Sequence, residues 1–372
     1  MPVHDSLEPH AGQFLDVGCL AGCGNPLGCG AIANSAHIPA YMKNEKAEIK
    51  YFCDIIPERA DAAVEKYGCG KAVYDYHEIL DDPELDSVSV CTHNDLHSVI
   101  AIDFMRAGKD VLSEKPAARV LSEALEMQKV AHETGRILSI GVCNRFGTAV
   151  NHIKDLIDAG ELGDVYHVYA SFRANRSIPG IGGDFTRKSA SGGGTLIDWG
   201  VHYLDLILYC CGEPKPLTAS GEAFCKLGKN IKDYVYTGMW AENTADMDGV
   251  YDVDDSVTGI IRTDGPTISF NGAWAENIGE SETYIDFIGD KAGIRHQYCG
   301  GFVLYSVKNG MLLRSEPKFR SKDFYEEEIN SFVDCVITRE HNRADIDLAI
   351  ATSKIMQAIY DSSELHREVV ID

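Results

Sequence analysis

A glycine-rich segment after the first predicted strand constrains the fold of this chain more than any other feature. The strand covers Phe14–Gly22, and the glycines that follow form two Gly-Cys-Gly triplets, the second starting six residues after the first. A dinucleotide site needs glycine there, because the backbone turns sharply and approaches the pyrophosphate at a helix N-terminus. The second triplet opens the pattern GxGxxA directly before a predicted helix. The segment therefore predicts an unusually long phosphate-binding loop, and it leaves open which triplet contacts the pyrophosphate. The candidate contacts are Gly28, Gly30, Ala31 and Ile32.

Strand-like and helix-like stretches alternate over the first third of the chain. Further strands are predicted at Glu48–Cys53, Asp86–Cys91, Asp110–Ser113 and Ile137–Val142. The helices are predicted at Ala31–Asn44, Pro57–Tyr67, His97–Ala107 and Ser122–Thr134. Alternation at this pace is typical of a parallel sheet with crossover helices. We therefore predict an α/β fold whose first domain, residues 1–145, is a doubly wound, dinucleotide-binding Rossmann domain.

The pattern changes after residue 145. A helix at Thr148–Ala159 is followed by stretches that alternate with a period of two, which indicates half-buried strands. These strands are Val165–Arg173, Ser256–Arg262, Thr267–Trp274, Thr283–Ile288, Gly293–Tyr298 and Phe302–Val307. Two apolar helices are predicted at Phe324–Thr338 and Ile346–Ser362. We predict that residues 146–372 form an α+β domain with an open, mainly antiparallel sheet, and that its last helices pack back toward the first domain.

Composition excludes several classes of partner. The 372 residues carry 57 acidic and 34 basic side chains, and the resulting formal charge of −23 repels nucleic-acid phosphates and anionic lipid. No apolar run approaches the roughly 20 residues that a membrane helix needs. The trio Cys19, Cys23 and Cys29 lacks the CxxC spacing of a metal site. We therefore expect a cytoplasmic protein with reduced thiols, no metal, and neither nucleic acid nor membrane as a partner.

Asp54 follows the second strand at nearly the spacing of an acidic residue that binds the adenosine ribose. A carboxylate there accepts both ribose hydroxyls and repels a 2′-phosphate, so NAD is favoured over NADP. Arg59 would instead favour NADP if it faces the nucleotide, because its cation would bind the 2′-phosphate. The plainer interpretation of Arg59 is a solvated residue in the first turn of a helix.

Two motifs together carry a resemblance to a known family. One is Ser113-Glu114-Lys115-Pro116 after a short strand, and the other is the stretch Gly192–His202, which reads GGGTLIDWGVH. The pair resembles the Gfo/Idh/MocA oxidoreductases. Stretches at Ala36–Tyr41 (AHIPAY) and Cys91–His97 (CTHNDLH) extend the resemblance over nearly the whole chain. The doubled glycine triplet departs from the family pattern, and so does an acidic, aromatic insertion at Lys226–Asp255, which we predict to be a long loop.

The resemblance implies hydride exchange between a nicotinamide cofactor and a secondary alcohol of a sugar or cyclic polyol. His202, whose ordinary pKa is about 6.5, is then the base that takes the alcohol proton. The Lys115 ammonium stabilises charge on the reacting oxygen. Asp198 precedes His202 by four residues, so we expect it to grip a neighbouring hydroxyl or to tune the imidazole, with Asp205 behind them. Taken singly, Asp198 also fits a helix-terminus charge, and His202 fits a hydrogen-bonded core residue.

Polar residues after the strands of the first domain are candidate cofactor contacts, because the carboxyl ends of parallel strands open onto the bound nucleotide. They are Thr92, Asn94, His97, Glu114, Lys115 and Asn144. His97 equally fits the start of a helix, and Glu114 equally fits a residue that only orients Lys115. Asn144 and Arg145 reach the nicotinamide ribose or the substrate in one interpretation and bridge the two domains in the other.

Two further groups are candidates for the substrate end of the cleft. Basic residues flank a glycine-rich loop that is able to close over a polar substrate: Arg173, Arg176 and Lys188. Aromatic residues of the insertion suit stacking on a sugar ring, although we favour subunit contacts for them: Tyr234, Tyr236, Trp240 and Tyr251.

The sequence thus predicts an NAD-dependent oxidoreductase that oxidises a secondary hydroxyl of a sugar, glycoside or cyclitol. Within the resembling family, oxidation at carbon 3 of a glucoside is one branch, and myo-inositol dehydrogenase is a near neighbour. A rival from another class is a glycosidase that retains NAD and works by oxidation, elimination and reduction. A third candidate is a non-catalytic sensor. Because an exposed apolar sheet face is an aggregation hazard, we also expect a homo-oligomer, a dimer or larger.

Overall fold

The first of two sheets is parallel and lies between helices. The protein is described by a computed structural model over residues 15–20, 29–239, 241, 244–340 and 342–372. The strands of this sheet are β1 (Leu15–Leu20), β2 (Ala47–Cys53), β3 (Lys71–Val73), β4 (Ser87–Val90), β5 (Asp110–Glu114) and β6 (Leu138–Gly141). Their order is β3-β2-β1-β4-β5-β6, so the strand order reverses at β1 and β4, where ligands bind in doubly wound folds.

Helices connect these strands as crossovers. They are α1 (Ile38–Lys43), α2 (Pro57–Tyr67), α3 (Asn94–Arg106) and α4 (Leu121–Thr134). A π-helical turn, Ala33–His37, leads into α1. The Rossmann fold predicted from the alternation of strands and helices is confirmed. The sequence analysis missed β3, because three residues of which one is buried are too short to show a period.

The second sheet has nine strands and is mainly antiparallel, as predicted. Its strands are β7 (Val165–Arg173), β8 (Pro216–Phe224), β9 (Ser256–Thr263), β10 (Thr267–Ala273), β11 (Glu282–Gly289), β12 (Ala292–Gln297), β13 (Phe302–Lys308), β14 (Met311–Ser315) and β15 (Val369–Val370). They lie in the order β14-β13-β12-β11-β7-β10-β9-β8-β15, and among them β7 and β10 pair in parallel. The analysis missed β8, β14 and β15. Strand β8 is hidden because its interior alternates weakly, and β14 because four of its five residues are exposed.

Helices cover one face of the second sheet. They include α5 (Thr148–Asp158), α7 (Val201–Cys210) and α9 (Ile346–Leu365), and the short α6 (Lys188–Ser191) precedes α7. Apolar side chains of α5, α7 and α9 form one core with the inner face of the sheet. Helix α8 (Phe324–Thr338) instead packs on the first domain, where Ile329, Phe332 and Val333 join the core around α1 and β2. The start of α9 joins the core of the first domain as well, through Ile346, Ala349 and Ile350.

The opposite face of the second sheet carries no covering helix among the described residues. Side chains on this face alternate with those of the core, and they include Tyr169, Tyr284, Tyr305 and Val307. Tyr305 is 44% and Val307 63% exposed. We call these four residues the open face. In the described part of the chain, none of the helices has both the length and the apolar character required to cross a bilayer.

A buried arginine joins the two domains. Arg145 lies just after β6 and is fully buried. Its Nε and Nη2 donate to the two carboxylate oxygens of Asp205 on α7, over 2.8 and 2.7 Å. Its Nη1 donates to Glu213 and to the carbonyl of Arg343. Of the two interpretations of Arg145 in the sequence, the structure shows the bridge between domains.

We expect Arg145→Met to lower the free energy of unfolding by about 3–5 kcal/mol, because it leaves the buried Asp205 carboxylate without its partner. Urea titration followed by circular dichroism measures the change. The control is Arg106→Met, which removes an exposed ion pair with Glu126 and is expected to cost about 1 kcal/mol or less. Equal destabilisation by the two variants would contradict the role of Arg145.

Candidate active site

A cavity of about 580 Å³ lies between the carboxyl ends of the parallel strands and helix α7. The first domain contributes Ala31, Ile32, Thr92, Asn94, Glu114 and Lys115 to its walls. The second domain contributes Asp184, Phe185, Asp198, Trp199, His202 and Trp274. The cavity thus joins the N-terminal end of the first helix to residues of the second sequence motif, GGGTLIDWGVH, which leads into α7.

The three glycines of that motif are explained by close approaches. Gly192 has a left-handed backbone with φ of 85°. A Cβ on Gly193 would lie 2.1 Å from the hydroxyl of Tyr360, and one on Gly194 would lie 1.8 Å from the carbonyl oxygen of Asp254. The Asp254 carboxylate accepts hydrogen bonds from the backbone N–H of Gly194 and Leu196, over 2.8 and 3.0 Å. This buried cap starts the helical segment and directs the next turn toward the cavity.

The first turn of this segment is π-helical and spans Leu196–Gly200. It holds Asp198, whose Oδ1 accepts a hydrogen bond from Lys115 Nζ over 2.8 Å. The second carboxylate oxygen accepts from Trp274 Nε1 over 3.2 Å. Burial disfavours the ammonium, but the adjacent Asp198 carboxylate outweighs it and raises the pKa of Lys115. Asp198 therefore acts on Lys115, whereas the sequence analysis expected it to grip a hydroxyl or to tune the imidazole of His202.

His202 lies in the first turn of α7 and lines the same cavity as Lys115. The side-chain amide of Asn144 hydrogen-bonds its Nδ1 over 3.1 Å, and the Asn144 amide nitrogen also donates to the hydroxyl of Tyr298 over 3.0 Å. Burial, with a smaller contribution from the Lys115 cation, lowers the pKa of His202 well below its ordinary value. The imidazole is therefore neutral at pH 7. An amide nitrogen only donates, so in this arrangement Nδ1 accepts and Nε2 carries the ring proton; Nε2 becomes the base when the Asn144 amide turns and its oxygen accepts from Nδ1–H.

A buried imidazole that the sequence analysis missed holds Glu114. His37 Nε2 lies 2.8 Å from Glu114 Oε1, and Glu114 Oε2 accepts from the backbone N–H of Lys115 over 3.0 Å. Burial opposes the charge on Glu114, but His37 and Lys115 hold the pKa of this carboxyl below its usual range. The signal was present, because His37 belongs to the AHIPAY stretch, but no spacing rule assigned it a partner 77 residues away.

The predicted cofactor residues fall into two groups. Six of them line the cavity: Ala31, Ile32, Thr92, Asn94, Glu114 and Lys115. Asp54 is fully buried, and its two oxygens accept from the backbone N–H of Cys29 and Ile56 over 2.6 and 2.9 Å. Its carboxylate therefore supports the loop before the first helix. His97 is also buried, with Nδ1 2.8 Å from the Pro116 carbonyl and Nε2 3.0 Å from the Thr92 carbonyl.

The remaining predictions have different outcomes. Gly30 and Asn144 are described but do not line the cavity, whereas Gly28 and Trp240 lie outside the described residues. Arg173 pairs with Glu276 and Glu282, and Arg176 bonds Asn277, so neither reaches the cavity. Lys188 is exposed and does not line the cavity.

Three tyrosines of the insertion pack in an apolar cluster behind Trp274: Tyr234, Tyr236 and Tyr251. Within the described ranges, no three His, Cys, Asp or Glu side chains are placed to share a metal ion.

Comparison with known families assigns both halves of the chain. Residues 27–142 match the oxidoreductase family with an NAD-binding Rossmann fold, and residues 150–295 match the Gfo/Idh/MocA C-terminal domain. The chain belongs to the Gfo/Idh/MocA oxidoreductase family. The resemblance drawn from the two sequence motifs is thereby confirmed.

Individual relatives of this Gfo/Idh/MocA protein are named for sugars and cyclitols. It is 29% identical to D-glucoside 3-dehydrogenase of Escherichia coli (strain K12), over 91% of this chain and 94% of the relative. It is 30% identical to inositol 2-dehydrogenase of Rhizobium meliloti (strain 1021), over 56% of this chain and 60% of the relative. Levoglucosan dehydrogenase, solved in complex with NADH and levoglucosan, shares the fold with a TM-score of 0.82 at 19% identity, covering 96% of this chain and 100% of that one.

The lowered pKa of His202 is testable directly by NMR. In protein with ¹³C-labelled histidine, we expect the His202 resonance, assigned by its loss in His202→Gln, to titrate below the ordinary value of about 6.5. Lys115→Met should raise this pKa, because it removes a nearby cation that disfavours the imidazolium. A His202 midpoint at or above 6.5, or one that Lys115→Met does not move, would show that the described environment is wrong.

Proposed function

We propose that this protein is an NAD-dependent dehydrogenase that oxidises a secondary hydroxyl of a sugar, glycoside or cyclitol, with a D-glucoside oxidised at carbon 3 as the leading candidate. The observation that carries the proposal is the joint placement of a charged Lys115 and a neutral His202 in one cavity. The names of relatives support the substrate class, because they include a glucoside 3-dehydrogenase and an inositol dehydrogenase.

The residues at the cavity suit a nicotinamide dinucleotide. A helix N-terminus at Ala31 suits the pyrophosphate, and the cavity runs from there to His202. Glu114 lines the cavity, which supports its proposed contact with the ribose nearest the nicotinamide, and a Cβ on Gly141 would crowd this carboxylate at 3.1 Å. When bound, NAD supplies the acceptor for the hydride. We retain the preference for NAD over NADP that Asp54 suggests, with a parallel titration of the two cofactors as its test.

In the proposed reaction the chain's own groups handle the proton and the charge. His202 takes the proton of the substrate hydroxyl, for which its neutral state is required. The Lys115 ammonium donates a hydrogen bond to the same oxygen and stabilises the negative charge that develops as the proton leaves. Asp198 keeps Lys115 protonated and fixes the position of its Nζ, while Trp274 fixes Asp198. Asn144 orients the imidazole of His202 through Nδ1.

The charges at the cavity favour an uncharged substrate. Among the described residues that line it, Lys115 is the sole lysine or arginine, and Asp198 already neutralises it. Glu114 adds negative charge, and Asp184 is paired with Arg187, which does not itself line the cavity. A phosphate or carboxylate on the substrate would meet repulsion without an arginine to bind it, so neutral polyols are the expected class.

The test is a panel of glycosides and inositols incubated with the protein and NAD, read by NADH absorbance and by analysis of the sugar products. Net NADH with a keto-glycoside as product supports the dehydrogenase. Free sugar released without net NADH would instead indicate the glycosidase that retains its cofactor. A protein that converts none of the panel would contradict the proposal.

We expect Lys115→Ala to lower kcat by about 100-fold or more, because the reacting oxygen loses its charged partner. Binding of NADH, followed by fluorescence titration, should stay within about threefold of the unaltered protein. Lys129→Ala is the control, since Lys129 is a solvent-exposed lysine on α4. A loss of NADH affinity equal to the loss of kcat would contradict this division of roles.

We also propose that the protein is a homo-oligomer whose subunits meet through the open face. Light scattering should give the mass of a dimer or larger, and Tyr305→Asp with Val307→Asp should lower that mass, because charge at a buried apolar contact is unfavourable. Leu125→Asp is the control, since Leu125 is an exposed apolar residue on α4. A monomeric unaltered protein at working concentration would remove the proposal.

A cytoplasmic location is proposed on the state of the thiols. Ten of the described cysteines carry free thiols, six of them buried, as suits a reducing compartment. The formal charge of −23 makes nucleic acid and anionic membrane poor partners.

A further inference from the structure

The insertion is bonded to a neighbouring loop that we call the outer loop, Ile178–Arg187. Two tyrosines of the insertion accept hydrogen bonds from its backbone. The hydroxyl of Tyr234 accepts from the N–H of Ile178 over 3.2 Å, and that of Tyr236 accepts from the N–H of Ile181 over 2.9 Å. Both tyrosine rings pack against the apolar cluster behind Trp274. This packing holds each ring in place, and its hydroxyl bonds the outer loop.

Thr186 is the centre of the contact between the outer loop and the insertion. Its side chain is fully buried. The hydroxyl accepts from the N–H of Gly182 and donates to the carbonyl of Val250, each over 2.9 Å. The Thr186 carbonyl accepts from the N–H of Asp252 over 3.1 Å. Thr186 therefore joins the Gly182 backbone of the outer loop to Val250 and Asp252 of the insertion.

The two backbones are too close for other residues at their crossing. A Cβ on Gly182, whose φ is 85°, would lie 1.8 Å from the carbonyl oxygen of Asp246. A Cβ on Gly249 would lie 2.0 Å from the carbonyl oxygen of Gly182. The outer loop and the insertion thus form one packed unit, although 38 residues of the chain lie between the end of the first and the start of the second.

This unit borders the cavity. The outer loop contributes Asp184 and Phe185 to the cavity wall. Trp199 and Trp274 line the cavity and also contact the apolar cluster under the insertion. The indole Nε1–H of Trp274 donates to the Asp198 carboxylate, so the same cluster supports the Lys115–Asp198 pair.

We propose that the insertion determines substrate specificity by fixing the outer loop against the cavity, with Thr186 as the positioning residue. The inference rests on the proposed dehydrogenase function. The wall it fixes combines aromatic rings with a carboxylate, which suits the apolar C–H face and the hydroxyls of an uncharged sugar ring. Thr186 touches no substrate itself and acts through Asp184 and Phe185.

The experiment compares the unaltered protein with Thr186→Val, Thr186→Ser and Thr258→Val. Thr258 is the matched control, since its hydroxyl bonds Phe270 and Asn271 on β10, away from the cavity. The probes are methyl β-D-glucoside and myo-inositol, each with NAD. For the probe that the unaltered protein oxidises with the higher kcat/KM, we expect Thr186→Val to raise KM about 10-fold and to keep kcat within about threefold. The ratio of kcat/KM between the two probes should change about fivefold.

Two further readouts separate positioning from loss of folding. Thr186→Ser retains the hydroxyl and should stay within about twofold of the unaltered protein, as should Thr258→Val. Hydrogen–deuterium exchange in Thr186→Val should accelerate in residues 178–187 and 246–252 and stay unchanged in the first domain. If Thr186→Val does not fold, Tyr236→Phe takes its place, because it removes one bond to the outer loop at smaller cost.

An unchanged ratio of kcat/KM between probes in a variant whose exchange accelerates would overturn the inference, and so would an unchanged exchange rate. The unaltered protein tests the proposed function separately. If it oxidises neither these probes nor the wider panel, the proposed function and the claim about specificity both fall, and the exchange data still report whether the insertion fixes the outer loop.

Discussion

The ion pair between Lys115 and Asp198 is the interaction on which the site depends, because its two members come from different domains. Lys115 follows β5 of the parallel sheet, whereas Asp198 lies in the turn before α7. A distance of 2.8 Å between Nζ and Oδ1 requires that the domains be held in one arrangement. Asn144 and Arg145 provide this, since consecutive residues of the first domain bind His202 and Asp205 on α7. The structural bridge and the orientation of the proposed base are therefore parts of one contact.

The features that local chemistry dictates were predictable from the sequence. Strands β4, β5 and β6 are buried on both faces, and their alternation with helices identified them and the Rossmann fold. The stretch Gly192–His202 and the motif Glu-Lys-Pro after a strand together resemble the Gfo/Idh/MocA family, and through that resemblance Lys115, Asp198 and His202 were predicted as site residues. The structure places all three at one cavity.

The features that depend on distant parts of the chain were not predictable. Which residue pairs with Asp198 is set by the packing of Trp274 and Lys115 around it, and no spacing encodes this. The same holds for His37 beside Glu114 and for Asp254, which caps the helical segment before α7 from a distant part of the chain. Asp54 shows both sides: its place after β2 follows from the spacing, but the hydrogen bonds that its two oxygens accept from the backbone N–H groups of Cys29 and Ile56 do not.

A crystal structure of the protein with NADH and a bound glucoside would test the account most directly. We predict that Lys115 Nζ and one ring nitrogen of His202 both lie within about 3.2 Å of a single hydroxyl oxygen of the sugar. The carbon bearing this oxygen should lie about 3–3.5 Å from the hydride-carrying carbon of the nicotinamide. A glucoside bound with its nearest hydroxyls in contact with only one of the two side chains, or with neither, would contradict the account.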